Sequence, residues 1–402
     1  MKKEDIFARL KKRSDKQSKL SPKKKKLITL IVLPVVIALT VGITYLCGGF
    51  ETIDYFLFYR HYTIDPTVIS DGSFPVTFTG SDIISADNIS SKAVILTKKL
   101  LTCISYKGRV LYTESFSFVE PQMKTDGKYG VVFDRGSDKF LIFDAYGIVY
   151  NGTVDGGRNI ITADVDSKGN VVLSTKSDDS ACRVYMVDKK GEIKFIWSCA
   201  ENYVVSMDIS KDSQKIACGA IGAVDNEILT NIYILDINSD SAASVLEVRN
   251  AACVDMDYLA SEGDKVVLTC LNKRLIFNVS DNGTLDKNPL VAEFNGSSVL
   301  IDSDSLGNTA VLTEKYNSSD NNELTLYDKD SSIVFRCSTP SDVISLLCEG
   351  DKVYCLTPDK IITYTTNSEE NSEYICDMFG EGLIEIKGKI RYFSSKTIKN
   401  GF

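Results

Sequence analysis

The hydrophobic positions of this chain form one long run followed by many short ones. Residues 27–47, LITLIVLPVVIALTVGITYLC, contain no charged residue, and about 20 apolar residues in a helix span the hydrocarbon core of a bilayer. From about Val68 to Phe402, short β-branched and aromatic runs alternate with Gly, Asp, Asn and Ser. Such alternation is typical of strands joined by tight turns. We therefore expect one transmembrane helix followed by an all-β body.

The short runs recur with a long period. One hydrophobic strand appears eight times, centred on Val94, Val131, Val171, Ile216, Val266, Ala310, Val353 and Ile390. Successive copies are 37, 40, 45, 50, 44, 43 and 37 residues apart. A period in the forties with four short strands per repeat is the signature of a β-propeller blade. Eight copies predict an eight-bladed β-propeller, and a seven-bladed ring with an extra hairpin is the alternative.

The last repeat is one strand short. After residues 382–386 and 389–394, only residues 396–402 remain. Residues 73–78 form a predicted strand that precedes the first repeat and has no partner there. Closing the ring removes the open sheet edges of a propeller. We therefore expect residues 73–78 to supply the missing strand.

The turns of the repeats are rich in Asp and Gly. The Asp carboxylate accepts hydrogen bonds from backbone amides, and Gly adopts positive φ. The clearest turn segments are residues 164–170, 188–191, 208–212 and 302–308. The segments that begin at Asp164 and Asp302 also open like an EF-hand loop, but Lys168 and Leu306 stand where calcium needs an oxygen ligand. We interpret both as plain hairpin turns, and we attribute much of the acidic excess of the body to turn aspartates.

Charge divides the chain at the apolar run. The net charge is −8, yet residues 1–26 contain 12 basic and 3 acidic residues, whereas the rest contains 34 basic and 51 acidic residues. Lysines such as those at 23–26 stay on the cytoplasmic side of a membrane. We predict a basic cytoplasmic tail (1–26), a signal-anchor helix embedded in the lipid bilayer (27–47), a membrane-proximal linker (48–67) and an extracellular propeller (68–402). A body with a charge of −17 repels nucleic acid.

Two rival interpretations of the apolar run stay open. The apolar region of a cleaved signal peptide has about 7–15 residues and precedes a small-x-small site, and this run is longer and lacks the site. A lipoprotein signal has a small residue before the acylated cysteine, whereas Leu46 precedes Cys47. The aromatic residues between Tyr55 and Tyr62 suit either the outer membrane interface or the start of the folded domain.

Few residues offer catalytic or metal-binding chemistry. The single histidine, His61, lies in the membrane-proximal run. This excludes multi-histidine zinc sites and disfavours a Ser-His-Asp triad. No glycine-rich phosphate loop occurs. From the sequence we assign no catalytic, cofactor-binding or metal-binding residue and no cofactor.

The body contains ten cysteines and no CxxC motif. They are Cys103, Cys182, Cys199, Cys218, Cys253, Cys270, Cys337, Cys348, Cys355 and Cys376. Most replace small apolar residues within predicted strands, which favours buried free thiols. The alternative is a disulfide, because an oxidising compartment favours one. Cys348 and Cys355 flank a predicted hairpin where a cross-strand pair is conceivable.

The segment 185–197, with Asp188, Gly191 and Trp197, resembles a blade of the quinoprotein-like propellers. The Trp occurs in this repeat alone and no vicinal Cys-Cys is present, so the resemblance implies the architecture and not the enzyme branch. The whole arrangement also resembles an uncharacterised clostridial and Gram-positive family of single-pass, membrane-anchored propeller proteins. That resemblance implies a cell-membrane protein whose propeller lies outside the cell.

These patterns favour a binding or scaffold module of the cell envelope, whose partner is an envelope protein or a wall polymer. We expect the contacts in the long loops 219–230, 238–243 and 317–323. The alternative is a carboxylate- or cofactor-dependent enzyme of the glycan lyase or hydrolase type, with its site in the propeller channel. Closely spaced acidic residues at the inner ends of strands would favour the enzyme. A sensor that relays ligand binding to the tail is a weaker third hypothesis.

Overall fold

The N-terminal part of the chain is described only in part. The computed structural model describes residues 32, 34–36, 54–154, 156, 158–259, 265–314, 321–366 and 371–402. By its internal contacts the chain divides into two units, Met1–His61 and Tyr62–Phe402. In the first unit, residues 32 and 34–36 are helical and Tyr55–Tyr59 form a π-helical turn.

The predicted tail and most of the predicted membrane helix lie outside the described residues. Among the residues that are described, no helix is long and apolar enough to cross a bilayer. The membrane anchor at 27–47 therefore stays a prediction.

The second unit consists of short antiparallel strands. Before the first blade come β1 Val68–Ile69 and β2 Val76–Phe78. Blades 1 and 2 contain β3 Ile83–Ile89, β4 Lys92–Thr97, β5 Leu100–Ile104, β6 Val110–Ser115, β7 Pro121–Asp126, β8 Tyr129–Asp134, β9 Lys139–Asp144 and β10 Gly147–Thr153. Blades 3 and 4 contain β11 Ile160–Val165, β12 Val171–Lys176, β13 Cys182–Val187, β14 Ile193–Cys199, β15 Tyr203–Ile209, β16 Lys215–Val224, β17 Glu227–Asp236 and β18 Ala242–Arg249. Blades 5 and 6 contain β19 Cys253–Tyr258, β20 Lys265–Cys270, β21 Lys273–Asn278, β22 Leu290–Glu293, β23 Ser298–Ser303, β24 Thr309–Thr313, β25 Asn321–Tyr327 and β26 Ile333–Pro340. Blades 7 and 8 contain β27 Ser345–Glu349, β28 Lys352–Leu356, β29 Lys360–Thr365, β30 Ser372–Ile375, β31 Gly382–Ile386, β32 Lys389–Phe393 and β33 Thr397–Asn400.

These strands form eight sheets, which confirms the eight-bladed β-propeller. Seven sheets have four strands in chain order and the eighth has five. The first strands of neighbouring blades contact one another, as β3 does with β7 and β27 does with β31, and β31 also contacts β3. The first strands therefore surround a central channel, and the ring is closed.

The ring closes through the strand that precedes the first blade, as predicted. The eighth sheet has the order β1-β2-β33-β32-β31. Val76 pairs with Ile398, and Thr77 pairs with Thr397. Val76 and Ile398 are fully buried in a hydrophobic cluster shared with residues of blade 1. The N-terminal strand thus supplies the strand that the last repeat lacks.

The periodic hydrophobic positions of the sequence are the second strands of the blades. All eight lie in β4, β8, β12, β16, β20, β24, β28 and β32, and none is more than 3% exposed. A second strand has a neighbour on each side within its sheet and another blade against each face, so it is apolar throughout. The outermost strands have alternating burial instead, as in β18. This difference explains why the period is visible in the sequence.

The Asp-Gly segments are hairpin turns, but three of them begin later than predicted. Asp164, Asp208 and Asp302 belong to β11, β15 and β23, and the turns start at Asp166, Ser210 and Asp304. The Asp166 Oδ1 atom accepts the amides of residues 168 and 170, at 2.9 and 2.8 Å. The turn closes at Gly169, whose φ of +86° favours glycine. The Asp166 carboxylate thus accepts hydrogen bonds within its own turn, as predicted for a plain hairpin turn.

One predicted binding loop is wrong. In segment 219–230, β16 continues to Val224 and β17 begins at Glu227. Only Asp225 and Asn226 form the turn, with φ of 52° and 67°, as a tight two-residue hairpin requires. Segment 238–243 does contain the turn between β17 and β18, and residues 317–320 lie outside the described residues.

The suggested Cys348–Cys355 pair is not in register. Cys348 pairs with Val353 and Cys355 pairs with Leu346, so the two thiols are not directly opposite. Apart from Cys103, whose thiol donates to the carbonyl oxygen of Ala145, the cysteines of the body are free thiols in this structure. Cys337 is half-buried and the others are buried.

Because β2 and β33 close the ring, we expect substitutions of two isoleucines in the same sheet to differ in their effect on the free energy of unfolding. We expect Ile398→Ala, which leaves a cavity between blades 8 and 1, to lower the free energy of unfolding by about 3 kcal/mol. Ile69 is 56% exposed on β1, so Ile69→Ala should change it by less than about 0.5 kcal/mol. Denaturant unfolding of the purified chain measures both values. Equal losses for the two variants would contradict the closure role.

Candidate functional site

The first strands of the blades surround a central channel with a volume of about 1000 Å³. Its carboxylates are Asp87, Asp126, Asp164, Asp208, Asp255, Asp257, Asp302, Asp304, Glu349 and Glu385. Its basic lining residues, among those described, are Lys124 and Arg274. The lining is therefore strongly acidic, in contrast to the interpretation of the acidic excess as turn residues.

A repeated β-bulge places the aspartates in the channel. In five blades the pairing of the first strand with the second skips one residue: Ile84, Ile161, Val205, Val254 and Val299. An aspartate follows each of them three positions later: Asp87, Asp164, Asp208, Asp257 and Asp302. A bulge bends the strand and redirects the side chains around it. We call these five residues the aspartate ring.

The other three blades interrupt the aspartate ring. Asp87 is the third residue from the end of β3, and Lys124 is the third from the end of β7. The corresponding residues of β27 and β31 are Leu347 and Ile384. At these positions the ring therefore has one cation in blade 2 and apolar residues in blades 7 and 8, and the latter two blades contribute Glu349 and Glu385 to the channel lining instead.

Lys124 crosses the channel towards blade 5. Its Nζ lies 3.9 Å from Asp255 Oδ1, and both side chains are partly exposed. The carboxylate of Asp255, and then those of Asp164 and Asp257, raise the pKa of Lys124, although burial opposes the charge. Lys124 is thus a charged alkylammonium group held among several carboxylates.

Nearby positive charge and hydrogen bonds offset the burial of the ring carboxylates only in part. Burial raises the pKa of Asp164 to about 7, against the opposing effect of Lys124. Burial raises the pKa of Asp302 to about 6. It also raises the pKa of Asp208 and Asp257 well above the ordinary value, and neighbouring carboxylates add to the effect. Each of these carboxyl groups therefore holds its proton to a higher pH than an ordinary aspartate, and a positive charge placed nearby would stabilise its ionised form.

Two aspartates of the ring also connect neighbouring blades. The Tyr258 amide of blade 5 donates to Asp208 Oδ2 of blade 4 at 2.6 Å. The Cys348 amide of blade 7 donates to Asp302 Oδ2 of blade 6 at 2.7 Å. By contrast, Asp164 accepts the amide of Val165 in its own strand. Substitution of Asp164 therefore tests the charge of the ring with the least effect on contacts between blades.

Arg274 has a structural role. It is fully buried and donates from its guanidinium to the carbonyl oxygens of Gly307 and Asp328 in blade 6, each at 2.7 Å. Burial lowers its pKa. Arg274 ties blade 5 to blade 6, and its charge also opposes the rise in the pKa of Asp257. Lys124 is the basic residue that occupies a position of the aspartate ring itself.

The two ends of the channel differ. The bulge residues lie near the start of the first strands, and Val254 and Val299 are about half exposed there. The aspartates lie near the end of the same strands, where the chain turns into the second strand. Because successive strands are antiparallel, the hairpin at Asp225 lies at the end opposite the aspartates. The aspartate end is therefore the polar mouth of the channel.

The aspartate ring was missed in the sequence, although a signal was present. Asp164, Asp208 and Asp302 were interpreted as turn residues, and this was wrong because all three lie within first strands. The pattern Ile/Val-x-x-Asp occurs at corresponding places in five repeats. Within the described part of the chain, no three His, Cys, Asp or Glu side chains are grouped so as to hold a metal ion.

The raised carboxyl pKa values predict how stability depends on pH. Between the ordinary value of 3.8 and about 7, the folded chain holds protons on Asp164 that the unfolded chain has released. The free energy of unfolding should therefore fall as the pH rises through this window. Asp164→Asn removes the group, so we expect a flatter decline in denaturant unfolding measured from about pH 4.5 to pH 7.5.

The matched control is Asp225→Asn at the exposed hairpin turn, where Asn suits the positive φ. It should leave the decline unchanged. If the free energy of unfolding of Asp164→Asn falls with pH as steeply as that of the parent chain, the raised pKa of Asp164 is contradicted.

Comparison with solved structures supports the fold. The chain superposes on Sqt1 of Saccharomyces cerevisiae with a TM-score of 0.57 and 11% identity, over 83% of this chain and 100% of that one. For BamB of Moraxella catarrhalis the TM-score is 0.53 at 10% identity, over 83% and 99% of the two chains. For AztD of Citrobacter koseri it is 0.53 at 11% identity, over 82% and 98%. Identities this low show a shared propeller fold alone.

Comparison with sequences gives the family. A search of curated proteins finds no match. Residues 76–396 match the model of DUF5711, described as a family of unknown function. The matched region begins in the closing strand β2 and extends almost to β33. The clostridial and Gram-positive origin and the membrane anchor of the resembled family stay predictions, whereas the propeller fold is shown. On this match, which covers most of its length, the chain belongs to the DUF5711 family.

Proposed function

We propose that this chain is a membrane-anchored binding or scaffold module of the cell envelope, and that it binds alkylammonium groups in the aspartate ring. The observation that carries the proposal is the repeated placement of aspartates at one mouth of the channel, around a single lysine. The ligand class includes free oligoamines and the lysine side chains of an envelope protein or the amino groups of a wall polymer.

Charge explains the preference for a cation. Several carboxylates with raised pKa share the neighbourhood of one ammonium group, so a second ammonium group finds acceptors that Lys124 does not satisfy. A charge pair about 4 Å apart is worth about 4 kcal/mol at the effective dielectric of a protein surface. Part of this energy is lost to desolvation of the ligand. Hydrogen bonds from N⁺–H to carboxylates add direction to the attraction.

Two variants test the aspartate ring, and we expect them to change the affinity for an oligoamine in opposite directions. We expect Asp257→Asn to weaken the binding of spermidine about tenfold, because one carboxylate is lost, where tenfold is about 1.4 kcal/mol. We expect Lys124→Met to strengthen it about tenfold, because the built-in cation is removed while the hydrocarbon stem is kept. Calorimetric titration of the detergent-solubilised full chain measures both, and parallel titration with trilysine separates a free oligoamine from a protein-borne lysine.

The matched control is Lys128→Met, at a lysine in the adjacent turn of blade 2 that lies over the Tyr129 ring. This variant should bind both probes as the parent chain does. Absence of binding to either probe would contradict the proposal, and so would weaker binding by Lys124→Met. Binding should also tighten as the pH rises from about 5 to 7, because the cation competes with protons on the ring.

A second candidate is a carboxylate-dependent enzyme. The observation that favours it is the group of carboxylates with raised pKa at the inner strand ends, with Asp164 near 7, as a general acid requires. The same experiment separates the candidates when a glycan panel replaces the amines. A ligand that is only bound is recovered unchanged, whereas a substrate yields products, and Asp164→Asn should then abolish product formation.

The membrane anchor is proposed from the sequence. The uncharged run at 27–47 and the excess of basic residues in 1–26 support a single crossing with a cytoplasmic N-terminus. This orientation places the acidic mouth of the propeller outside the cell. The envelope location is part of the proposal and is independent of the ligand.

Site-directed labelling in a bacterial host tests the orientation. Asn226→Cys places a thiol at the exposed hairpin turn, and we expect a membrane-impermeant maleimide to label it in intact cells. Ser14→Cys places a thiol in the proposed tail and should react only after permeabilisation. The parent chain gives the background from its own cysteines. Labelling of Ser14→Cys but not Asn226→Cys in intact cells would reverse the proposed topology.

A further inference from the structure

Two pairs of cysteines face each other across antiparallel strands. Cys182 of β13 is directly opposite Cys199 of β14 in blade 3. Cys253 of β19 is directly opposite Cys270 of β20 in blade 5. All four are free and buried thiols. Neither pair follows a motif, and only the strand register brings the partners together.

The backbone geometry of Cys182 and Cys199 suits a disulfide. The Ala181 amide donates to the carbonyl oxygens of Ala200, at 3.2 Å, and of Cys199, at 3.0 Å. The bond between residues 181 and 200 makes the next pair, Cys182 and Cys199, a non-hydrogen-bonded pair. The Cα atoms of such pairs are about 4.5 Å apart, and disulfides bridge Cα atoms about 4.4–6.8 Å apart.

The two thiols affect each other's ionisation. The Cys182 thiol donates to the carbonyl oxygen of Asn202 at 3.3 Å. The neighbouring Cys182 lowers the pKa of Cys199 to about 6, although burial opposes this, and the neighbouring Cys199, together with burial, raises the pKa of Cys182. Cys199 is therefore the nucleophile of the pair and Cys182 is its proton-bearing partner.

Cys199 lies where the blade can open locally. It is the last residue of β14, the outermost strand of blade 3, and the following Ala200 and Glu201 are exposed. The ends of edge strands open at a lower free energy than the core. Cys253 and Cys270 lie on the two innermost strands of blade 5, and burial raises the pKa of both.

We propose that Cys182 and Cys199 are a disulfide-forming site, oxidised by a low-molecular-weight disulfide. The Cys199 thiolate attacks one sulfur of the oxidant, forms a mixed disulfide and releases one thiolate. Cys182 passes its proton to that thiolate and attacks the Cys199 sulfur, which releases the second half of the oxidant. Two protein thiols become one disulfide, and one disulfide of the oxidant becomes two thiols. The inference does not depend on the proposed ligand.

Oxidised glutathione is the probe, applied to the full chain in detergent. After acid quenching, alkylation and trypsin digestion, we expect peptides 177–183 and 195–211 to be joined. This link should be at least tenfold more abundant at early times than one between the peptides that contain Cys253 and Cys270. A random distribution of links, glutathione retained on Cys199 alone, or no reaction at either cysteine would each overturn the proposal.

A pair of variants separates the disulfide from general effects of oxidation. In the parent chain, oxidation should raise the thermal midpoint, because the bridge fixes the end of β14 to β13. Cys199→Ser should abolish both the linked peptide and this rise. Cys253→Ser, the matched control in the second pair, should retain both. A rise that persists in Cys199→Ser would assign the stabilisation to another site.

Discussion

The pairing of β2 with β33 is the constraint on which the rest of the structure depends. It joins residues more than 300 positions apart, as between Thr77 and Thr397, whose hydroxyls are 3.3 Å apart. Such a contact forms late and at a high cost in chain entropy, so other contacts support it. Arg391 of blade 8 donates to the Tyr106 carbonyl of blade 1 at 3.2 Å and lies 4.9 Å from the centre of the Phe74 ring. Closure brings β31 beside β3, and only then do the eight first strands enclose a channel.

The channel lining is a compromise between structure and charge. Asp208 and Asp302 each accept a hydrogen bond from a backbone amide of a neighbouring blade, which strengthens the contacts between the first strands. Buried carboxylates are costly unless they are paired or protonated, and their raised pKa values show that pairing is incomplete. Lys124 reduces the cost by occupying the position of an aspartate in blade 2. The same groups that hold the blades together therefore give the channel its attraction for cations.

The sequence was sufficient for the fold and insufficient for the site, for a physical reason. The second strands are buried on both faces, so residues such as Val171 and Val266 repeat as an uninterrupted apolar signal. Asp164 and Asp166 are two positions apart in the sequence, yet one lines the channel and the other caps a turn. Their roles differ because β11 ends at Val165, between the two residues, and composition does not record where a strand ends. The cysteine pairs were missed for the same reason, because register alone brings Cys182 opposite Cys199.

The asymmetry of the ring gives the proposed ligand a direction. Carboxylates of the aspartate ring come from blade 1 and from blades 3 to 6, whereas blades 7 and 8 have Leu347 and Ile384 at the corresponding positions and contribute Glu349 and Glu385 to the channel lining. Lys124 leans from blade 2 towards Asp255, and the carboxylates of Asp255, Asp164 and Asp257 raise its pKa, so an ammonium group is stabilised beside blades 3 and 5. Under the proposed function, an alkylammonium ligand gains most when its charged end lies there. A symmetric ring of eight aspartates would offer no such preference, and replacement of three of them thus converts a charged pore into an oriented site.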